Sequence, residues 1–321
     1  MSTFKKLVTT LVMGSIATLA SAQGWPDKPV KLVVPYAPGG TTDFSARMVA
    51  DRLTQQTGKS FFVENKTGAS GTIGTTMVAK STPDGTTFLI NDTTYAMLPS
   101  LFAKLPWDHA NDLIPVTTLS VTPVVLVVAA NSPFKTAQEL IEFARKNPGK
   151  LNFGSGGTGS STHLSAEVLK KEGKLFITHI PYKGAGDAMI GLLGNQVDLL
   201  ITAAPTAVPQ VQGGKVRALA ITGDKQLPAL PGVPTFKELG LPGYKVTNWF
   251  GVAAPKGTPK EIIERMQAEV AKAMTDAKLV EKFNAMGART GGMPAAEFGN
   301  FMKAEVKLWS EVSKSAGVKP E

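Results

Sequence analysis

Residues 30–54 read VKLVVPYAPGGTTDFSARMVADRLT. The first five are an apolar run of strand length. The last eleven carry apolar residues at helical spacing, and PYAPGGTTD lies between them. A loop joining a buried strand to a helix sits at the carboxyl edge of an open α/β sheet, where ligands of such sheets bind. The first turn of a helix presents backbone N–H groups without intrahelical partners, backed by about half a positive charge from the helix dipole. Such an end suits a carboxylate or phosphate. Gly39 and Gly40 let the backbone approach a ligand, the hydroxyls of Thr41 and Thr42 add donors, and Asp43 is read as orienting the loop.

The same grammar recurs at FGSGGTGSSTHL, residues 153–164. There Ser155, Thr158, Ser160 and Ser161 supply hydroxyls, Gly159 and its neighbouring glycines free the backbone, and His163 lies just inside the helix. Between and beyond these loops, strands and helices alternate. Strands are expected at 30–34, 61–64, 87–91, 150–153, 176–180, 198–202 and 216–222, and helices at 44–54, 74–80, 137–146, 162–171 and 187–193. The pattern predicts an α/β protein with mainly parallel sheets. Two long apolar strands, at 118–130 and 247–255, read as crossings between two domains, and two amphipathic helices, at 260–273 and 295–313, close the chain. The expected plan is a two-domain, type II-like periplasmic-binding-protein clamshell: residues 23–121 and 247–321 form one discontinuous domain, and 122–246 the other.

Three further loops fall on the same sheet edges and are candidate ligand contacts: Asn91 with Thr93 and Thr94, Gly184 with Ala185, and Thr202 with Ala203. Lys183 is read as solvated, Gly68 to Gly71 as a tight helix start, and Trp249 and Phe250 as core or hinge residues.

The chain has 321 residues, 43% of them hydrophobic, enough for a large core and more than one domain. It has no cysteine, which excludes disulfides, thiolate metal sites and a cysteine-linked lipid anchor. The N-terminus carries Lys5 and Lys6, a short apolar stretch, and Ala20-Ser21-Ala22. This is the pattern of a secretory signal over residues 1–22, with a mature start at Gln23 and a periplasmic location. The formal net charge is +9, and removing Lys5 and Lys6 leaves +7. The lysines are scattered rather than striped with aromatics, so no nucleic-acid partner is expected.

Other chemistries fit poorly. Residues 154–159 match G-x-G-x-x-G, but no acidic residue ends the next strand, so no dinucleotide cofactor is expected. No G-x-S-x-G elbow and no Walker lysine is present. His109, His163 and His179 are read as far apart, without a carboxylate at i,i+4, so no metal is expected. Ser160 or Ser161 acting with His163 would need a hydrolase geometry that one helical turn rarely holds.

Six stretches together resemble the Bug proteins, the periplasmic solute-binding components of tripartite tricarboxylate transporters: WPDKPVKLVVPYAPGGTTDFSAR, VENKTGASGTIGTTMVAKSTPDGTTFLI, NFGSGGTGSSTHLSAE, HIPYKGAGDAMIGLLGNQVDLL, GVPTFKELGLPGY and NWFGVAAPKGTP. The resemblance implies a monomeric clamshell that captures an organic acid for membrane permease subunits, with no cofactor and no catalysis. It further implies that Ala37, Pro38, Gly39, Gly40 and Thr41 hold one carboxylate, largely through backbone groups and ordered water. Ser155, Thr158, Gly159, Ser160 and Ser161 would hold the other end. Thr41 and Phe44 depart from residues found in some members, which bears on ligand size. A dicarboxylate is expected, an aromatic one such as terephthalate included. A sensor that signals to a membrane regulator is the competing reading.

Overall fold

The computed structural model describes residues 24–315. The signal read at 1–22 and the start at Gln23 lie outside the described residues. The chain opens with β1 (Val30–Val34), α1 (Thr41–Thr57), β2 (Phe61–Asn65), α2 (Thr72–Ala79), β3 (Thr87–Asp92) and α3 (Thr93–Leu101). The long strand β4 (Leu113–Ala129) leads to α4 (Ala137–Lys146), β5 (Asn152–Ser155), α5 (Ser161–Gly173) and β6 (Thr178–Pro181). Next come α6 (Ala185–Leu193), β7 (Leu199–Ala203), α7 (Ala204–Gln212) and β8 (Val216–Ile221). Strand β9 (Thr247–Pro255) returns, and α8 (Lys260–Met274), α9 (Ala277–Ala285), β10 (Arg289–Thr290) and α10 (Ala295–Ser315) follow.

In the first lobe β1 lies between β2 and β3, all parallel, and β9 joins β3 antiparallel. In the second, β5 lies between β6 and β7, again all parallel. β4 belongs to both lobes. Its stretch from Leu113 to Pro123 pairs with β9, and its stretch from Val124 to Ala129 pairs with β7 and β8. Its second part is apolar on both faces because both are covered: Val124, Leu126 and Val128 enter one core cluster, Val125 and Val127 another. The two-lobed α/β plan agrees with the sequence reading and β4 runs through both lobes, whereas β9, read as a second crossing, pairs only with β3 and the first-lobe part of β4.

Some elements differ. α1 starts at Thr41, three residues before the expected helix, so Thr41, Thr42 and Asp43 form its first turn. α7 contains Pro205 and Pro209, the first at a helix start where a missing N–H costs nothing. Three helices rather than two close the chain. The additional one is α9, capped by the Asp276 side chain, which accepts from the Leu279 N–H.

Because the parallel strands run from each sheet into the next helix, β1, β3, β5, β6 and β7 hand over to α1, α3, α5, α6 and α7 at their carboxyl ends. Five helix N-termini are thereby brought towards one place.

Candidate functional site

A cavity of about 30 Å³ lies where these five helices begin. Gly40, Thr41 and Thr42 line it from α1, Asp92 and Thr94 from α3, Ser160, Ser161 and Thr162 from α5. Ala185 contributes from α6, Thr202, Ala203 and Thr206 from the β7–α7 junction, and Ala37 from the first loop. Tyr36, Asp43, Gly156, Asn248 and Phe250 complete the wall. No lysine, arginine or histidine among the described residues lines it. The positive end of each helix, rather than a cationic side chain, sets the field.

The two glycine loops therefore face one another. Thr41 Oγ1 and Thr206 Oγ1 share a hydrogen bond of 2.8 Å, and the Ala37 N–H donates to Lys183 O at 3.1 Å. The Ser161 N–H donates to Thr94 Oγ1 at 3.0 Å, and Ser70 Oγ donates to Thr158 O. Gly186 packs so close that an added Cβ would overlap Pro38 O and sit 3.1 Å from Gly40 N.

The first loop is braced by Asp43. Its carboxylate accepts the Gly39 N–H at 3.1 Å, turns Gly39 to φ +86°, and is held by Asn65 Nδ2 at 3.0 Å and by Arg47 Nη2 at 2.9 Å. The second loop is braced without a carboxylate. Thr162 Oγ1 accepts the Gly156 N–H at 2.8 Å, Ser155 Oγ the Gly157 N–H at 3.1 Å, and His163 Nδ1 the Gly159 N–H at 3.0 Å. Ser160 Oγ caps α5 by accepting the His163 N–H at 3.3 Å.

The histidine reading needs correction. His163 and His179, read as far apart, stack with ring centroids 3.9 Å apart and an interplanar angle of 16°. His163 also has a carboxylate four residues on, Glu167, whose Oε1 lies 3.6 Å from Nε2. His179 Nε2 and Ser155 Oγ are 2.5 Å apart. Burial, with His163 next to it, pushes the His179 imidazole down from its ordinary value of 6.5 to about 3. Neither Ser160 nor Ser161 is paired with His163 as nucleophile and base, because Nδ1 takes a backbone N–H and Nε2 faces Glu167. No group of three metal-ligating side chains occurs among the described residues.

Of the residues expected to touch a ligand, Ala37, Gly40, Thr41, Thr42, Thr94, Ser160, Ser161, Ala185, Thr202 and Ala203 line the cavity. Pro38, Gly39, Asn91, Thr93, Ser155, Thr158, Gly159 and Gly184 do not. Gly39, Ser155 and Gly159 shape the loops from behind. Gly184 precedes α6 as its N-cap, Pro38 is exposed, and Asn91 lies buried in β3. Thr93 turns the other way, where its Oγ1 accepts the Trp249 N–H at 2.9 Å. Thr158 and Lys183 line a neighbouring cavity of about 270 Å³, beside Ser70 and Gly71. Trp249 is a core residue, edge-on to Phe298, whereas Phe250 contributes to the cavity wall.

Sequence reasoning missed Tyr36, Asp92, Thr206 and Asn248. Asp92 caps α3: Oδ1 accepts from the Tyr36 hydroxyl at 3.0 Å and the Thr94 N–H at 2.9 Å, and Oδ2 from Thr42 Oγ1 at 3.2 Å. Burial raises its carboxyl above the usual range, against these hydrogen bonds. The position of Asp92 directly before a helix was the available signal.

Comparison with known proteins agrees with this geometry. Residues 45–318 match the family described as tripartite tricarboxylate transporter family receptor. BugT of Bordetella pertussis is 34% identical over 311 residues, covering 96% of this chain and 95% of its own. A protein of R. palustris solved with adipate is 36% identical, with a TM-score of 0.89 over 92% of this chain and 100% of its own. MatC of Rhodopseudomonas palustris, solved with bound malate, is 32% identical, with a TM-score of 0.85 over 90% of this chain and 99% of its own. With its two lobes, its cation-free cavity and a match along nearly its whole length, the chain belongs to the tripartite tricarboxylate transporter receptor family, as a Bug-type solute-binding protein and not an enzyme.

Proposed function

We propose that this protein captures a dicarboxylate in the periplasm, after removal of residues 1–22, and delivers it as a monomer to the membrane permease subunits of a tripartite transporter. The observation that carries the reading is the convergence of five helix N-termini on one cavity without a cationic side chain. Main-chain N–H groups there are pre-aimed donors, and a charge-assisted hydrogen bond contributes about 1.5–3 kcal/mol. The adipate and malate carried by the two solved relatives are both dicarboxylates, which supports the ligand class.

The cavity holds about 30 Å³, room for a water or two, whereas small-molecule pockets usually span ~300 Å³ or more. Binding therefore requires the lobes to part, and the bonds Thr41–Thr206 and Ser161–Thr94 to yield to the ligand. We assign residues 23–121 with 247–321 to one moving body and 122–246 to the other. β4 and β9 form the hinge where Thr122 faces Asn248.

A thermal-shift screen of the mature protein with adipate, malate, succinate and terephthalate tests this. A ligand at about 100 times its dissociation constant stabilises by about 2.7 kcal/mol, enough to raise the melting temperature by several degrees. At least one dicarboxylate should do so while its neutral diamide does not. Equal shifts by acid and diamide, or none by any acid, would refute the reading.

A further inference from the structure

Asp92 is the unusual group in a cavity built for an anion. The other acid there, Asp43, is neutralised by Arg47 and turned towards the loop it braces. Asp92 makes no ion pair among the described residues, and its carboxylate is nearly removed from solvent. A carboxylate offers about four acceptor sites. Four donors reach Asp92: the Tyr36 hydroxyl and the Thr94 N–H on Oδ1, Thr42 Oγ1 on Oδ2, and the Thr94 hydroxyl beside them. Its charge is thus met by neutral donors only.

Two neighbours in the wall point the same way. Asn248 Oδ1 and Thr202 Oγ1 are buried and have no hydrogen-bond partner, although both residues line the cavity and are at least 98% removed from solvent. A buried polar atom left unpaired in one state is satisfied in another, by water or by ligand. Asn248 Oδ1 accepts only. A ligand presenting nothing but carboxylate oxygens satisfies the helix N-termini and leaves Asp92 and Asn248 facing further acceptors.

Resting on the proposed carboxylate-binding function, we propose that Asp92, with Asn248 beside it, sets specificity by selecting a carboxylate that also carries a hydroxyl or ammonium donor. The charge at Asp92 acts here as a filter. It rejects a ligand that is anionic throughout, while the unpaired Asn248 Oδ1 rewards one that brings a donor. Sites built to hydrogen-bond a ligand donor discriminate strongly against the analogue that lacks it, because the site's buried acceptor is then left unpaired.

The test is calorimetric titration of the mature protein with two matched series: succinate, malate and aspartate, and glutarate, 2-hydroxyglutarate and glutamate. Within each series the carboxylates are constant, and only the donor is added. In the better-binding series, the hydroxy or amino member should bind about tenfold tighter than the plain diacid, the size expected for one hydrogen bond to a charged group. Which of the two wins separates hydroxyl from ammonium recognition. In Asp92→Asn, and in Asp92→Ser, which also keeps a capping side chain on α3, the margin should fall to about threefold or less, chiefly through tighter binding of the plain diacid.

If Asp92 acted only as a helix cap, both variants, which keep a capping side chain, would leave the ratio between plain and donor-bearing diacids intact. That result, or a wild-type protein that binds plain and donor-bearing diacids equally, overturns the proposal while leaving carboxylate capture standing. If no member of either series, nor adipate, binds at all, the carboxylate reading itself falls.

Discussion

The loop at residues 35–40 is braced by charge, and the loop at residues 154–160 by neutral groups. Asp43 gathers the Gly39 N–H, Asn65 and Arg47 around one carboxylate, so a single side chain carries the charged support of the first loop. In the second, Ser155, Thr162 and His163 each hold one glycine N–H, and the stacked His179 supports them from below. Both arrangements leave a helix N-terminus free to face the cleft. The contrast teaches that similar Gly/Ser/Thr sequences reach one anion-binding geometry through different supports, which must fail in different ways.

The comparison breaks most severely where the lobes touch. Gly186→Ala places a methyl group against Pro38 O and close to Gly40 N, and overpacking of about 1–3 kcal/mol should weaken binding roughly five- to a hundredfold. Titration against the best ligand measures this, and unchanged affinity would show that closure does not bring these loops together. Asp43→Ala should follow, because it strips the first loop of its charged brace. Losing the bonds to the Gly39 N–H, Asn65 and Arg47 together costs about 1–3 kcal/mol. A denaturant series should show the midpoint falling with an unchanged slope, and Thr162→Ala should cost less because two other braces remain.

A pH series sharpens the contrast between the supports. His179 is held neutral in the fold, at about 3 against 6.5, facing His163, Glu167 and Lys170 from α5. Its contribution to stability is full above about pH 6.5 and is lost as the pH falls from there towards about 3, because the unfolded chain then binds the proton more readily. The melting temperature should therefore decline over that window, and less steeply in His179→Gln. Parallel curves for the two proteins would count against a neutral brace. The smallest effect is expected at Ser160→Ala, which removes the α5 cap for about 1 kcal/mol and should change affinity less than about fivefold, since the backbone donors remain. A larger loss there would mean that the hydroxyl, rather than the main chain, holds the ligand.

Much of this was legible in the sequence, and the exceptions have physical causes. β1, α4 and β9 have the bounds that their apolar patterns predict, because each is long and strongly periodic for its type. α7 was hidden by Pro205 and Pro209, which read as loop residues although one starts the helix and the other lies inside it. Thr206 was lost with it. α9 is short and follows α8 after only two residues, so one helix pattern obscured the next. At the site, strand–loop–helix grammar located the glycine loops, but it could not tell Thr93 from Thr94. Neighbouring helical positions point about 100° apart, and only the packing of Trp249 shows which faces inward. Asn248 lies on β9, where an apolar run gives no hint that a polar residue ends up in the cleft wall. The histidine stack joins residues sixteen apart from two different elements, a contact that no local pattern encodes.

That no lysine or arginine among the described residues lines the cavity has a consequence for the surroundings in which the protein works. Attraction between exposed side-chain ions fades as the Debye length shrinks, whereas peptide dipoles fixed at buried helix ends are screened much less. A receptor that relies on them keeps its grip from dilute to brackish media, with little need to shed counterions when the ligand arrives.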